Sequence, residues 1–369
     1  MESIISAFLI SCLLTGILIP QILLVAFRKN LFDIPDERKI HTSTVPRLGG
    51  IAFMPAIFIS IACVIGFDLI ADGKLTMHLS ATDPLVLCFG LCSIMCMYLV
   101  GIADDLIGVR YSAKFFVQLV VAGFLILSGL YIKDLSGFLG INEMPFAASA
   151  ILTLVVIVFF INAVNLIDGI DGLASGLSSI AFLAFGLSYF YMGELFWALL
   201  SFASLGTMVP FFYFNVFGNP ESRKKIFMGD TGALTIGVIL SILSIHMCNY
   251  PVVGTLEYNP FVMAFSPMIV PCFDVLRVFG NRILHHKSPF EPDRTHIHHK
   301  FLALGLNQRQ TMPLILFISI LYTIINVMLS PFVNVTWLVL ADVIVWFAGN
   351  MAITSLINRK KAKLICKNI

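Results

Sequence analysis

The segment from residue 148 to residue 172, ASAILTLVVIVFFINAVNLIDGIDG, sets a long apolar run directly before a cluster of polar residues. Residues 148–164 suit a membrane-spanning helix, which needs about 20 mostly apolar residues. Asparagine or aspartate then recurs every three residues, and on a helix three residues drift by about 60° around the axis. The stretch from Asn165 to Asp171 is therefore predicted to form one broad polar face, with the helix ending at the glycines that follow each aspartate.

The rest of the chain has the same apolar character. Of its 369 residues, 59% are apolar and 12% are charged, whereas about 25% are charged in a typical soluble domain. This composition excludes an ordinary cytosolic enzyme, a disordered chain and a secreted disulfide scaffold. The net charge of +2 gives no indication of a nucleic-acid partner. We predict an all-α integral membrane protein in which residues 1–369 form a single polytopic domain.

Long apolar runs predict about eleven transmembrane helices. They cover residues 3–27, 49–70, 84–103, 112–131, 148–164, 175–192, 195–214, 231–250, 261–279, 311–331 and 335–357. With the N-terminus outside, 21 of the 23 lysines and arginines fall on the cytoplasmic side, and only Lys74 and Lys133 fall outside. Because cytoplasmic loops carry an excess of basic residues, this orientation is favoured, and it places the C-terminus in the cytoplasm.

This topology places the polar segments together on the cytoplasmic face. The predicted loops are 28–48, 104–111, 165–174, 215–230 and 280–310. Their candidate functional residues are carboxylates together with cationic and histidine residues, namely Asp104, Asp105, Asp168, Asp171, Asp230, Lys39, His41, Arg47, Lys225, His285, His286, Arg294, His296, His298 and His299. Carboxylates at a membrane boundary are costly unless they are solvated or paired, so we treat them as functional candidates.

Carboxylates beside cations are what Mg²⁺ and a phosphate-rich substrate would need together, because Mg²⁺ is usually held by one or two carboxylates and substrate phosphates. The turn Gly229-Asp230-Thr231-Gly232 before an apolar run suits a metal-bound phosphate at a helix N-terminus. A simply capped helix start is the alternative, since Asp and Thr are both good N-cap residues. Zinc at the histidines is disfavoured because no cysteine lies near them.

The chain resembles the polyprenyl-phosphate N-acetylhexosamine-1-phosphate transferases, which start bacterial envelope polysaccharides. The resemblance rests on five motifs in order: Arg38-Lys39-x-His41 with Pro46-Arg47-x-Gly49-Gly50; Asp104-Asp105; Asn162-x-x-Asn165-x-x-Asp168-Gly-x-Asp171-Gly; Phe227-Met-Gly-Asp230-x-Gly; and Ser288-Pro-Phe-x-Pro-Asp-Arg294-x-His296-Ile-His298-His299. These motifs extend over nearly the whole chain.

The resemblance implies transfer of a sugar-1-phosphate from a UDP-sugar to polyprenyl (undecaprenyl) phosphate with Mg²⁺ or Mn²⁺, at the cytoplasmic side of the bacterial inner membrane. It implies that Asp230 is the main protein ligand of the metal, with Asn165 nearby. Asp104 or Asp105 would act on the lipid phosphate. The nucleotide and sugar would meet the remaining candidates, namely Lys39, His41, Arg47, Asp168, Asp171, Asn215, Lys225, Arg294, His296, His298 and His299.

The last loop resembles the GlcNAc-1-phosphate branch of this family, because it has His-Ile-His-His where the muramoyl-pentapeptide branch has a run of three histidines. We therefore expect UDP-GlcNAc as the donor, with the muramoyl-pentapeptide activity as the alternative. An ion-coupled transporter also remains open, although its carboxylates would usually lie near the bilayer midplane. A second copy of the chain is kept open as a partner.

Overall fold

A computed structural model of the chain describes residues 1–31, 45–71, 84–250, 258–285 and 295–367. These residues are almost entirely helical. The α-helices are α1 (Glu2–Lys29), α2 (Phe53–Ala71), α3 (Pro84–Ile107), α4 (Tyr111–Leu127), α5 (Phe146–Ile167), α6 (Leu173–Met192), α7 (Leu195–Val216), α8 (Gly229–Cys248), α9 (Pro260–Phe265), α10 (Ile269–Leu284), α11 (Ile297–Leu304), α12 (Gln308–Leu329) and α13 (Val335–Lys367). Short 3₁₀ turns at Gly49–Ala52 and Ser266–Met268 precede α2 and α10, and one hairpin joins β1 (Asp134–Phe138) to β2 (Ile141–Glu143).

The all-α membrane architecture predicted from the sequence is confirmed. Within the described residues, ten helical segments are long and apolar enough to cross a membrane, and the turn and helices between Pro260 and Leu284 count as one of them. These ten correspond to ten of the eleven predicted spans. The predicted span 112–131 is the exception, because its helix α4 has only 17 residues.

Helix α4 nevertheless connects the two ends of the bundle. Near its start, Lys114 contacts Asp230 in the first turn of α8. Beyond its end, the backbone N–H of Lys133 donates to Asn249, which directly follows α8. Residues 114–133 therefore reach from the first turn of the 20-residue helix α8 to the residue after its end, and the turn and loop after Leu127 supply the length that α4 lacks.

Helix α8 is the central element of the bundle. It is buried along almost its whole length, with seventeen of its twenty residues buried. Helices α3, α5 and α6 pack around it, so its first turn is surrounded by the ends of several other helices. This arrangement brings loops that are distant in sequence to one end of the bundle, which is called the site end below.

The opposite end holds the β-hairpin and a separate polar contact. Asn326 of α12 donates one hydrogen bond to Asp342 of α13 at 2.8 Å and another to Ser266 at 3.2 Å. Such bonds between apolar helices contribute to their association. Asp342 thus takes part in the contact between α12 and α13, and nothing in this contact favours the ion-coupled transporter.

Candidate functional site

Asp105 holds the first turn of α8 in place. One carboxylate oxygen accepts the backbone N–H of Asp230 at 2.8 Å, and the other accepts the N–H of Thr231 at 2.9 Å and its hydroxyl at 2.5 Å. These N–H groups have no partner within their own helix. Asp105 therefore supplies from α3 the capping group that α8 lacks, since no side chain caps it from Met228. The alternative prediction was that Asp230 or Thr231 caps α8 with its own side chain. Neither does, because the N-cap residue is Met228.

Gly229 makes this contact sterically feasible. Its φ is +72°, and a Cβ built there would lie 2.5 Å from a carboxylate oxygen of Asp105 and 2.1 Å from the carbonyl oxygen of Arg47. Only glycine combines this backbone conformation with such a close approach. Gly229 thus allows the α3 terminus and the first loop to meet the start of α8.

Lys114 bridges two of the predicted aspartates. Its Nζ donates to Asp104 at 3.1 Å and to Asp230 at 2.7 Å, and all three side chains are largely but not fully buried. Asn165, at the end of α5, donates its Nδ2 to the other oxygen of Asp230 at 3.1 Å. Asp104 also accepts the backbone N–H of Val109 at 2.7 Å. Three helices therefore converge on Asp230.

The donor set at Asp230 fits Mg²⁺ bound together with substrate phosphates. Among the residues described, no group of three or more His, Cys, Asp or Glu could enclose a metal ion. Mg²⁺ does not need such a cage, because it keeps several waters and binds through one or two carboxylates plus phosphate oxygens. Asp230 and Asp104 are two carboxylates joined by one lysine, and the side-chain amide of Asn165 lies next to Asp230, to which its nitrogen donates.

The loop between α5 and α6 departs from the prediction of a shared helical face. Helix α5 ends at Ile167, and Asp168 has non-helical backbone angles. Asp168 and Asp171 therefore project from a loop, and that part of the prediction is wrong because the glycines end the helix one turn earlier than the polar pattern suggests. Both residues still lie at the site end, which the pattern predicted.

Asp168 lies at the site end near several other charged groups. Reduced hydration raises the pKa of its carboxyl, the nearby Arg47 opposes this rise, and the negative charges of Asp171 and Asp230 add to it. The raised pKa makes Asp168 a carboxyl whose charge responds to pH near neutrality.

Asn215 and Lys225 hold the loop between α5 and α6 in place. The side chain of Asn215 is buried, with its Oδ1 accepting the N–H of Gly172 at 2.6 Å and its Nδ2 donating to the carbonyl of Ile226 at 2.9 Å. The Nζ of Lys225 pairs with Asp171 at 2.5 Å. Asn215, expected to contact the nucleotide, thus has both ends of its amide engaged in joining two loops of the site.

The first loop is attached to the strand-like segment before α8. Phe227 donates its N–H to the carbonyl of Pro46 at 2.8 Å, and Gly49 and Gly50 donate to the carbonyls of Phe227 and Met228 at 2.9 and 2.8 Å. Arg47 lies between these bonds, within electrostatic reach of Asp168. Arg47 therefore lies at the site end, and its predicted contact with the substrate stays a prediction.

The histidine motif forms the start of helix α11 and is fixed by a buried ion network. Asp274 of α10 is fully buried, and it accepts His296 Nδ1 at 2.8 Å, the N–H of Ile297 at 3.0 Å and Arg277 at 2.8 Å. Arg277 also donates to the carbonyl of Thr295 at 2.6 Å. Asp274 therefore caps α11 and sets the orientation of His296.

His298 connects the histidine motif to the loop that contains Asp168. It is 1% exposed, its ring lies parallel to that of His296 with centroids 5.8 Å apart, and the ring of His299 follows at 4.2 Å. A Cβ at Gly169 would lie 2.3 Å from His298 Nε2, so the imidazole sits directly on the glycine of the Asp168-Gly169 turn. Burial, with the neighbouring histidines, lowers the pKa of His298 to about 3. His298 is therefore neutral at physiological pH.

Neither ring nitrogen of His298 has a hydrogen-bond partner within the described ranges. An unpaired buried polar group costs about 1–3 kcal/mol, and native proteins rarely retain one without a reason.

Helix α13 holds α11 from its other side. The Nζ of Lys300 donates to the side chains of Asn350 at 3.1 Å and Thr354 at 3.0 Å. Lys360 donates to the carbonyl of Leu304 at 2.7 Å, which completes the C-terminus of α11. The histidines thus sit on a short helix that is anchored at both ends.

Three of the predicted site residues, Lys39, His41 and Arg294, lie outside the described residues. The structure brings the others to one end of the bundle, with Asn215 beneath the surface. We did not predict Lys114, Asp274, Arg277 or Lys300 as site residues, and we predicted Thr231 only as part of the turn before α8. Asp274 and Arg277 did carry a signal, since a carboxylate and a guanidinium three residues apart share one helical face within an apolar span.

The fold and this site define a multi-pass membrane protein with a cluster of acidic and cationic side chains at one end of its helical bundle. The sequence pattern of "Glycosyl transferase family 4" matches residues 87–248, which include Asp104, Asn165, Asp168 and Asp230. The chain is 33% identical to an undecaprenyl-phosphate alpha-N-acetylglucosaminyl 1-phosphate transferase of Haemophilus influenzae, over 81% of this chain and 79% of that protein.

Two further relatives extend the match. A probable undecaprenyl-phosphate N-acetylglucosaminyl 1-phosphate transferase of Bacillus subtilis is 30% identical over 98% of this chain and 94% of its own length. The Escherichia coli undecaprenyl-phosphate alpha-N-acetylglucosaminyl 1-phosphate transferase is 29% identical over 82% and 78%. The chain therefore belongs to glycosyl transferase family 4, and it is a multi-pass membrane transferase.

Proposed function

We propose that this protein transfers GlcNAc-1-phosphate from UDP-GlcNAc to undecaprenyl phosphate, giving the lipid-linked diphosphosugar and UMP. The convergence of Asp104, Lys114, Asn165 and Asp230 beside the neutral His298 carries the proposal. It joins acidic groups suited to a cation with donors suited to a nucleotide sugar. The names of the relatives support GlcNAc-1-phosphate as the transferred group.

Mg²⁺, or Mn²⁺, is proposed to be held by Asp230 with Asp104 and the amide of Asn165. When bound, it would neutralise the diphosphate and stabilise the leaving UMP. The chain itself contributes positive charge through Lys114 and Arg47. Lys114 already lies between the two carboxylates, so it can turn to a phosphate oxygen when they bind the cation.

In the reaction, an oxygen of the lipid phosphate attacks the β-phosphorus of UDP-GlcNAc, and the bond to the UMP oxygen breaks. The second pKa of a phosphate monoester is about 6, so the lipid nucleophile is already largely deprotonated at neutral pH. A general base then adds little, and positioning dominates. We propose that Asp104, not Asp105, orients the acceptor, because both oxygens of Asp105 are occupied in capping α8.

The histidine helix is proposed to bind the UDP-sugar. His296 is held by Asp274, and His298 presents unpaired nitrogens next to the Asp168 loop. Arg294, which lies outside the described residues, is expected to join them from the same motif. Asp171 and Lys225 would shape the floor of the nucleotide site as a pair.

The direct test is UMP release by the purified full-length protein in nanodiscs with UDP-GlcNAc and undecaprenyl phosphate. UMP should form only when both substrates and Mg²⁺ are present, and a panel of UDP-sugars should show UDP-GlcNAc as the preferred donor. Turnover of UDP-MurNAc-pentapeptide in its place would support the other branch. Exchange of labelled UMP into UDP-GlcNAc without lipid would contradict direct attack and favour a phospho-enzyme.

The site is proposed to face the cytoplasm. In a cysteine-free background, Glu221→Cys at the site end should react with a thiol reagent only after the cytoplasmic side is opened. Glu143→Cys, in β2 at the opposite end, should react in intact cells. The reversed labelling pattern would place the site on the other side of the membrane.

A further inference from the structure

A groove lies on the outside of the bundle between α1 and α7, apart from the candidate site described above. Its volume is about 670 Å³, within the range of about 300–1,000 Å³ typical of ligand pockets. Its walls are mainly apolar: Leu23, Leu24 and Phe27 come from α1, and Tyr213 and Phe214 come from α7. Leu24 and Tyr213 are exposed, so the groove opens toward the surroundings of the bundle.

The end of the groove nearest the site end is basic. It is lined by Arg28, Arg223 and Lys224. The guanidinium of Arg223 lies 5.1 Å from the ring centroid of Phe27, which holds it over the groove by a cation–π contact. Within the described parts of the chain, none of these three cations forms an ion pair, and Glu221 does not line the groove.

The loop before α8 contributes one residue to the groove and the next to the candidate site. Lys225 turns inward to pair with Asp171, whereas the preceding Lys224 lines the groove. Consecutive lysines therefore serve two different places. The groove shares no lining residue with the Asp230 cluster, so it is a second site and not an extension of the first.

We propose that this groove binds an anionic phospholipid, with its phosphate at the three cations and one acyl chain along the apolar walls. Basic side chains at the ends of membrane helices lie at headgroup level and attract anionic lipid. Arginine in particular suits phosphate oxygens. A second copy of the chain is a poorer occupant, because a two-fold contact would bring two identical basic rims together.

The full-length protein is reconstituted in phosphatidylcholine nanodiscs that also contain phosphatidylglycerol. Native mass spectrometry then measures how much phosphatidylglycerol the protein retains. The groove variant is Arg223→Gln/Lys224→Gln, and the matched control is Lys29→Gln/Arg359→Gln, which removes two exposed charges outside the groove. At about 1 kcal/mol for each basic residue, the groove pair should lower phosphatidylglycerol affinity about 25-fold. The control should stay near wild type.

Equal losses in the two variants would mean diffuse attraction to the surface and would overturn the proposal. Arg223→Lys/Lys224→Arg should retain binding if charge matters, and equal thermal stability of all variants excludes misfolding. Leu24→Trp, which fills the apolar part, should also lower retention while leaving every charge in place. Unchanged retention in Leu24→Trp would count against an acyl chain in the groove.

Two further readouts separate other occupants. The KM for undecaprenyl phosphate should be unchanged in Arg223→Gln/Lys224→Gln, and a rise parallel to the loss of phosphatidylglycerol would assign the groove to the acceptor substrate. Light scattering should show the same oligomeric state for Leu24→Trp and wild type. Dissociation of an oligomer by Leu24→Trp would assign the groove to a contact between copies. Either result would overturn the proposal.

Discussion

Replacing Lys114 by methionine tests whether the charge of this lysine stabilises Asp104 and Asp230. The substitution removes the only described cation between Asp104 and Asp230 while keeping a side chain of similar length. The two carboxylates would then face each other without a counter-charge. We expect loss of stability in the absence of divalent cations and recovery when Mg²⁺ is added.

The magnitude follows from the two distances. At an effective dielectric constant of about 20, charges 3.1 and 2.7 Å apart attract by roughly 5 and 6 kcal/mol. Most of this gain is offset by the cost of removing three charges from water. Breaking a fully buried pair costs about 3–5 kcal/mol and an exposed one about 0–1 kcal/mol. Because Lys114 is 23% exposed, about 2 kcal/mol is expected.

The assay is thermal unfolding of the purified protein with EDTA or with saturating Mg²⁺. At about 2–4 °C per kcal/mol, Lys114→Met should lower the Tm by about 4–8 °C in EDTA. Mg²⁺ should raise the Tm of Lys114→Met more than that of wild type, because the ion replaces the missing charge. Lys29→Met, at an exposed position, is the control. An equal Mg²⁺ response in wild type and Lys114→Met would refute the idea that the lysine and the cation compete for these carboxylates.

Three other substitutions test the remaining parts of the site. Gly169→Ala places a methyl group 2.3 Å from His298. The KM for UDP-GlcNAc should rise at least about tenfold, as for loss of one good contact of about 1.4 kcal/mol. An unchanged KM would show that His298 does not contribute to binding of the donor. Asn215→Ala leaves the Gly172 N–H and the Ile226 carbonyl without their partner. The free energy of unfolding should therefore fall by about 1–3 kcal/mol. An unchanged free energy of unfolding would show that the loops containing Gly172 and Ile226 do not depend on Asn215. Asp168 has a raised pKa in the folded protein, so its contribution to stability is lost as pH rises from about 4 through that pKa. The Tm of Asp168→Asn should therefore rise relative to that of wild type between pH 5 and 8. A difference in Tm between the two proteins that stays constant over this range would contradict the raised pKa.

The convergence of the aspartates could be predicted because two simple patterns agreed. Apolar length fixes the number of crossings, and the distribution of Lys and Arg selects one arrangement of loops. Asp104, Asp168 and Asp230 then had to lie at the same end of the bundle. The fourth span was less well defined, since α4 is short and a turn and loop follow it.

The partners of those aspartates could not be predicted in the same way. Lys114 and Asp230 are 116 residues apart, and nothing in either local pattern specifies their contact. Asp105 and Asp104 are adjacent and look equivalent in sequence, yet one caps α8 and the other faces the lysine. Asp274 lies within an apolar span, so its role in holding His296 depends on how α10 and α11 pack. Tertiary packing, which sequence periodicity does not encode, decides each of these contacts.

The central claim is that Asp230 organises a cation-assisted transfer at this end of the bundle. The most direct measurement is UMP release by Asp230→Asn at saturating Mg²⁺, UDP-GlcNAc and undecaprenyl phosphate, compared with Glu221→Gln as an exposed acidic control. The account predicts a loss of turnover of at least about 10²-fold for Asp230→Asn, as for removal of one electrostatic contribution to a transition state, with Glu221→Gln unaffected. Turnover of Asp230→Asn close to wild type would contradict it.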